Sequence, residues 1–154
     1  MRANAVVAII RTVGERSFEA CRDLLSRQVS SDAVEVVSEH PFENALVRTY
    51  EIGIERGARW TMTLDADVLL RDGAVAELIE EAETLPENYV EVAGRIHDKL
   101  TGDYRPAGHH IYRTCHLKEA LSAIPPAGKE IRPDRKSTRL NSSHIQKSRM
   151  PSSA

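Results

Sequence analysis

Short apolar runs alternate along this chain with segments of helical period, and that alternation leaves few folds open. Ala5-Val6-Val7-Ala8-Ile9-Ile10 is continuous, rich in β-branched residues and too short for most helices, which suits a strand buried on both faces of a parallel sheet. After a polar turn through Gly14, Phe18, Cys21, Leu24 and Leu25 recur at helical spacing behind Ser17, a candidate N-cap. Ala33 to Ser38 reads as a second strand. Beyond Pro41, the residues Phe42, Ala45, Leu46, Thr49, Tyr50, Gly53 and Ile54 form the inward stripe of a helix that closes at Gly57. Trp60 to Leu64 is a third strand, and Asp72 to about Leu85 a third helix with Val75, Leu78, Ile79 and Ala82 inward. Tyr89 to His97 alternates, as a strand with one wet side does. His110 to Arg113 reads as a further short strand, and Thr114 as the cap of a helix carrying Leu117, Ala120 and Leu121. The order β-α-β-α-β-α-β predicts right-handed crossovers and an α/β fold on a doubly wound, mainly parallel sheet.

The third strand ends in two carboxylates, Asp65 and Asp67, with a helix directly downstream. On extended backbone residues two apart point to one side, so both acids could face a single divalent cation or diphosphate. In open α/β sheets the ligand crevice lies beyond the carboxyl ends of the strands, where this pair falls. The opposing interpretation is a pair of solvated acids, the second helping to start a helix.

A formal net charge of −2 argues against a polyanion partner, so no nucleic acid is expected. Cys21 and Cys115 lie far apart without metal-type spacing and read as reduced core thiols of a cytoplasmic protein. No apolar run is long enough to span a bilayer, and the N-terminus lacks the pattern of a secretory signal. The expected location is therefore the cytoplasm, with the inner face of the membrane as a further expected place of work.

Residues 134–154 stand apart. They are basic, serine-rich and without helical or strand period, and they resemble the in-frame translation of a sequencing-library adapter. That resemblance implies an artefactual, disordered tail after an incomplete domain of residues 1–133. A natural basic tail is the other interpretation. The tail's five cations, Arg135, Lys136, Arg139, Lys147 and Arg149, against Asp134 leave residues 1–133 nearer −6.

The first strand with Arg11-Thr12, the helix ending Leu25-Ser26-Arg27-Gln28, the segment Ala45 to Ile54 and the strand ending Leu64-Asp65-Ala66-Asp67 together resemble family 2 glycosyltransferases of the GT-A fold, the nucleotide-diphospho-sugar transferase fold. The resemblance covers about residues 5 to 125. It implies a UDP- or GDP-linked sugar donor, a saccharide or lipid-linked acceptor, inversion at the sugar, and Mn²⁺ or Mg²⁺ bridging the diphosphate. Asp67 would ligate the metal, with Asp65 assisting there or touching the ribose. Thr12 would lie beside the base, Arg48 near the base or phosphates, and Glu39 where the family reads the base. Two features depart from the pattern: the connection to the helix at Phe42 is short, and Thr49 stands where the family has Asn. The family's catalytic base lies after the segment that Gly108 to Leu121 resembles, so it is expected in a missing C-terminal part, and Asp134 is no candidate for it.

Other functions compete. An apolar strand ending Asp-Ala-Asp-Val also resembles the nucleophile motif of haloacid-dehalogenase-like phosphatases, with Asp65 phosphorylated and Asp67 as general acid. Against this, two strand–helix units precede the motif here. A sugar nucleotidyltransferase would want a glycine-rich phosphate loop, and Arg11 to Arg16 holds one glycine. The non-enzyme alternative is an inactive nucleotide-binding fragment whose open sheet edge invites association. His109-His110 suggests an acceptor-side loop rather than a metal pair, because adjacent imidazoles point apart on extended backbone. His97 and Asp98 could line the acceptor side or simply end a strand, and Trp60 is most simply core.

Overall fold

The computed structural model describes residues 5–126 and 146–149. Strand β1 (Val6–Arg11) lies between β2 (Val34–Val37) and β3 (Trp60–Asp65), parallel to both. Next to β3 runs β5 (Tyr104–Arg113), antiparallel, and beyond it β4 (Tyr89–His97) and β6 (Gln146–Arg149), giving the order β2-β1-β3-β5-β4-β6.

The first three strands are the parallel core expected from their apolar runs. Beyond β3 the sheet is mixed: β4, reached through α3, runs in the direction of β3, and β5 is antiparallel to both. β4 and β5 form a hairpin, and β5 is inserted between β3 and β4. Residues 98–103 between them are too few for a parallel crossover, which takes about a dozen residues or more. Asp98 closes the turn: its backbone N–H donates to the Asp103 carbonyl, and its carboxylate accepts from Leu100 N–H and Arg105. Asp98 is thus a hairpin residue, and His97 packs its ring 4.9 Å from that of Tyr104.

Helices cover both faces. On one side α1 (Phe18–Ser26) and α3 (Ala74–Glu83) bury Cys21, Leu25, Val75 and Leu78 against Val6, Ala8, Ile10, Met62, Leu64 and Ile111. Trp60 belongs to this core, at 2% exposure, and Arg113 crosses it to cap α3, donating to the carbonyls of Ala82 and Leu85. On the other side α2 (Phe42–Arg56) packs Ala45 and Ile52 on Val7 and Ile9, and α4 (Leu117–Ser122) sets Leu117 against Tyr50 and Tyr112. Gly57 ends α2 with a left-handed φ of 63°, the conformation glycine adopts without penalty.

Four residues of the C-terminal tail depart from the expected disorder. Residues 146–149 pair as β6 with β4, because an open strand edge presents unpaired backbone groups to any extended segment. Residues 134–145 and 150–154 lie outside the described residues. Cys21 is buried as expected, but Cys115 is exposed in the turn before α4 rather than in the core.

Candidate functional site

The carboxyl ends of β1, β2 and β3 open into a cleft of about 320 Å³ whose lining includes Arg11, Thr12, Glu15, Glu39, His40, Phe42, Asp65 and Asp67. Parallel strands release their chains at the same end, so residues distant in sequence meet there.

Asp65 is the last residue of β3 and Arg11 the last of β1, and the two are register partners. Arg11 donates to Asp65 Oδ1 from Nε at 3.1 Å, and its terminal nitrogen lies 2.9 Å from the same oxygen as an ion pair. Its guanidinium also lies 5.4 Å from the centre of the Phe42 ring, a cation–π contact across the cleft mouth. Phe42 was expected on the inward stripe of its helix. Being first in α2, it instead reaches the cleft rim and stays half exposed.

Asp67 is placed by a turn rather than by extended backbone. The strand stops at Asp65, and Val68 N–H bonds back to the Asp65 carbonyl, so the period-two argument ends one residue early. Ala66 pins the turn from both sides. Its N–H donates to the Arg11 carbonyl and its own carbonyl accepts from the Ser17 hydroxyl. The carboxylate of Asp67 is exposed and pairs with no side chain among the described residues. Behind the turn, Cys21 contacts the Asp65 carbonyl at 3.8 Å; burial first, and then the charges of Asp67 and Asp65, push its thiol up to about 11. This cysteine is no nucleophile.

Thr12 and Glu39 both line the cleft. The Thr12 hydroxyl donates to Glu15 at 2.5 Å and accepts from Gly14 N–H, closing a small polar turn. That bond holds the Glu15 carboxyl below its ordinary range. Arg48 does not reach the cleft. It sits more than a turn along α2 and pairs with Glu51 at 3.5 Å and Glu55 at 3.3 Å, both further from the helix start. Thr49 is buried and donates to the Ala45 carbonyl within the helix.

His109 and His110 lie in β5, not in a loop, and face opposite sides of the sheet. His109 is 7% exposed, and burial, helped by the nearby His110, lowers its pKa to about 4. Its ring covers Gly94 so closely that a Cβ there would lie 1.8 Å from Nε2. Among the described residues no group of three or more His, Cys, Asp or Glu side chains converges as a metal centre. Two carboxylates remain a workable donor set for Mg²⁺ or Mn²⁺ when substrate phosphates and water supply the other ligands. Asp67 is the freer of the two, since Arg11 already holds one oxygen of Asp65.

No protein-family model and no curated protein sequence matches this chain. Its fold is similar to those of several solved structures, among them the following two. The crystal structure of A197 from STIV aligns with a TM-score of 0.53 at 15% identity, over 78% of this chain and 68% of the other. A glycosyltransferase involved in the glycosylation of the major capsid of PBCV-1 aligns with a TM-score of 0.52, also at 15% identity, over 83% of this chain and 71% of the other. The chain therefore shares a mixed α/β fold with a glycosyltransferase. No described helix is long and apolar enough to cross a membrane.

The sequence reading singled out Asp65, Asp67, Thr12 and Glu39, which the fold brings to one cleft, and Arg48, which it does not. It missed Arg11 and Phe42 as a pair. Arg11 ends an apolar strand just as Asp65 does, and that shared position was the available signal.

Proposed function

We propose that the cleft binds the diphosphate of a sugar nucleotide and that the protein transfers the sugar to a hydroxyl acceptor. The observation that carries this reading is the exposed, unpaired Asp67 carboxylate beside the Arg11–Asp65 pair at the carboxyl ends of β1 and β3. The shared fold with a glycosyltransferase supports it.

Charge decides what the cleft can accept. Glu15, Glu39, Asp65 and Asp67 stand against Arg11, whose charge is already spent on Asp65, and His40. A bare diphosphate would be repelled, whereas a diphosphate carrying a divalent cation is matched. Asp67, with Asp65, would hold that Mn²⁺ or Mg²⁺, whose chemistry is to neutralise charge on the departing diphosphate. Arg11 fixes the direction of the Asp65 carboxylate. Thr12 and Glu39 flank the space for the nucleoside, with the UDP- or GDP-linked choice set by what Glu39 accepts, and Phe42 offers an apolar ring at the rim. Arg48 is left out of this reading because its charge is committed to Glu51 and Glu55.

The phosphatase alternative is not favoured, since a carboxylate held by a guanidinium is a poorer nucleophile than a free one.

The test is thermal unfolding of the full chain with UDP or GDP, with and without Mn²⁺, beside Asp67→Asn. Ligand at about one hundred times its dissociation constant adds roughly 2.7 kcal/mol, seen as a raised midpoint. Stabilisation should require Mn²⁺ and disappear in Asp67→Asn. A midpoint indifferent to nucleotide in the wild type would sink the assignment.

A further inference from the structure

A second polar group lies on the cleft face of the sheet, one strand further from β1. An oxygen of the Glu91 carboxylate in β4 lies against Nδ1 of His110 in β5. The Tyr112 hydroxyl donates to the same Glu91 oxygen at 3.3 Å, and Tyr50 of α2 packs edge-on against Tyr112 with centroids 5.3 Å apart. Two strands and a helix thus contribute to one connected cluster.

The register places this cluster beside the acids. His110 stands opposite Thr63 of β3. Asp65 follows Thr63 by two residues on the same face, so His110 and Asp65 are diagonal neighbours across the β3–β5 ladder, about 7–8 Å apart. Between them Thr63 is fully buried, and its hydroxyl has no hydrogen-bond partner among the described residues. Beyond Asp65 lies Arg11, its own register partner.

The pair is not sealed into the core. The His110 side chain is 25% exposed and that of Glu91 21%. Nδ1 is buried and lies against the Glu91 carboxylate without the alignment of a hydrogen bond, so the part of the imidazole that water reaches lies away from Nδ1. A carboxylate beside one ring nitrogen stabilises the charged ring that forms when the other nitrogen takes a proton. His109, one residue earlier, is turned to the opposite face and buried, so the two neighbours have different chemistry.

Resting on the reading of the cleft as a sugar-nucleotide site, we propose that His110, oriented by Glu91, is the general base for the attacking hydroxyl. The acceptor oxygen forms a bond to the anomeric carbon as the bond from that carbon to the diphosphate oxygen breaks. Its electron pair leaves with the diphosphate. The hydroxyl proton passes to Nε2 of His110, and the Glu91 carboxylate stabilises the resulting imidazolium. Glu91 is a positioning residue, since it acts through His110. The base expected beyond Leu121 would then sit within the described chain, on β5.

The experiment uses the full chain with Mn²⁺ and three probes, UDP-glucose, UDP-N-acetylglucosamine and GDP-mannose, with water as the acceptor hydroxyl, and follows release of UDP or GDP. At least one donor should be hydrolysed. His110→Gln should lower kcat by about 10²–10⁴-fold with donor KM changed less than about twofold, and Glu91→Gln should lower kcat less. Added imidazole should restore part of the rate to His110→Ala, an effect that a purely structural histidine would not show. Nucleotide- and Mn²⁺-dependent stabilisation should persist in His110→Gln, which separates loss of the base from loss of the donor site. Wild-type turnover in His110→Gln, absence of imidazole rescue, or a protein that binds UDP with Mn²⁺ yet hydrolyses none of the three donors would overturn the assignment. A wild-type protein that binds no nucleotide removes the cleft reading and this one with it.

Discussion

Arg11 and Asp65 end two neighbouring parallel strands in register, and their side chains meet at 2.9 Å across the floor of the cleft. The Arg11 side chain is only 11% exposed while that of Asp65 is 44% exposed. Asp65 is therefore both a candidate ligand and the counter-charge of a nearly buried guanidinium.

Removing that counter-charge has a structural consequence that removing Asp67 lacks. Asp65→Asn strands the Arg11 charge, and the half exposure of the Asp65 side chain keeps the loss below the 3–5 kcal/mol of a fully buried broken pair, at about 1–2 kcal/mol. Asp67→Asn, at an exposed and unpaired position, should change stability by less than about 0.5 kcal/mol. Urea denaturation of both variants checks the difference, and equal losses would contradict the role given to Arg11.

Buried His109 makes stability depend on pH. Its folded pKa of about 4 lies below the ordinary 6.5, so between those values the unfolded chain binds a proton that the folded chain excludes. The contribution is fully present above pH 6.5 and is lost as pH falls toward 4, amounting to about 3 kcal/mol at most. His109→Gln should flatten this part of the curve. Identical pH profiles for the variant and the wild type, measured by denaturation between pH 7 and about 4.5, would refute it.

Gly94 leaves room for the His109 ring. An alanine Cβ would lie 1.8 Å from His109 Nε2, and the ring is held between β4 and β5, so Gly94→Ala should destabilise by about 1–3 kcal/mol. Combining it with His109→Ala should cost less than the sum of the two single changes, because the clash is then gone. Strict additivity in the double-mutant cycle would show that the contact carries no energy.

Gly53 does the same for α2. Its Cβ would meet Thr61 Oγ1 at 2.6 Å and Leu117 Cδ1 at 2.7 Å. On an exposed helix Gly→Ala stabilises by up to about 1 kcal/mol; here the clash should outweigh that gain, leaving a net loss of about 1–2 kcal/mol. A raised melting temperature for Gly53→Ala would mean that α2 sits further from β3 and α4 than the structure has it.

Much of the fold was legible beforehand. The apolar run at Ala5–Ile10, the stripe from Phe42 to Gly57 and the alternation of Tyr89–His97 correspond to β1, α2 and β4. Periodicity reports which side of an element is buried, and these elements follow it. It does not report which strand lies alongside, so the insertion of β5 between β3 and β4 was invisible. The length of β5 was underestimated as well, since Tyr104–Pro106 are exposed and carry no apolar pattern.

For the site, the sequence alone determined that two acids stand at the end of a buried strand, and that Thr12 and Glu39 stand at the ends of two others. Those are local facts, written in the order of residues along single elements. Only the tertiary structure decided that Asp65 is held by Arg11, 54 positions away, that Asp67 is left free, that Arg48 turns from the cleft to Glu51 and Glu55, and that His110 meets Glu91 while His109 is buried. Each of these depends on sheet order and register, which bring distant residues into contact through backbone pairing, and pairing depends on both strands at once rather than on either sequence alone.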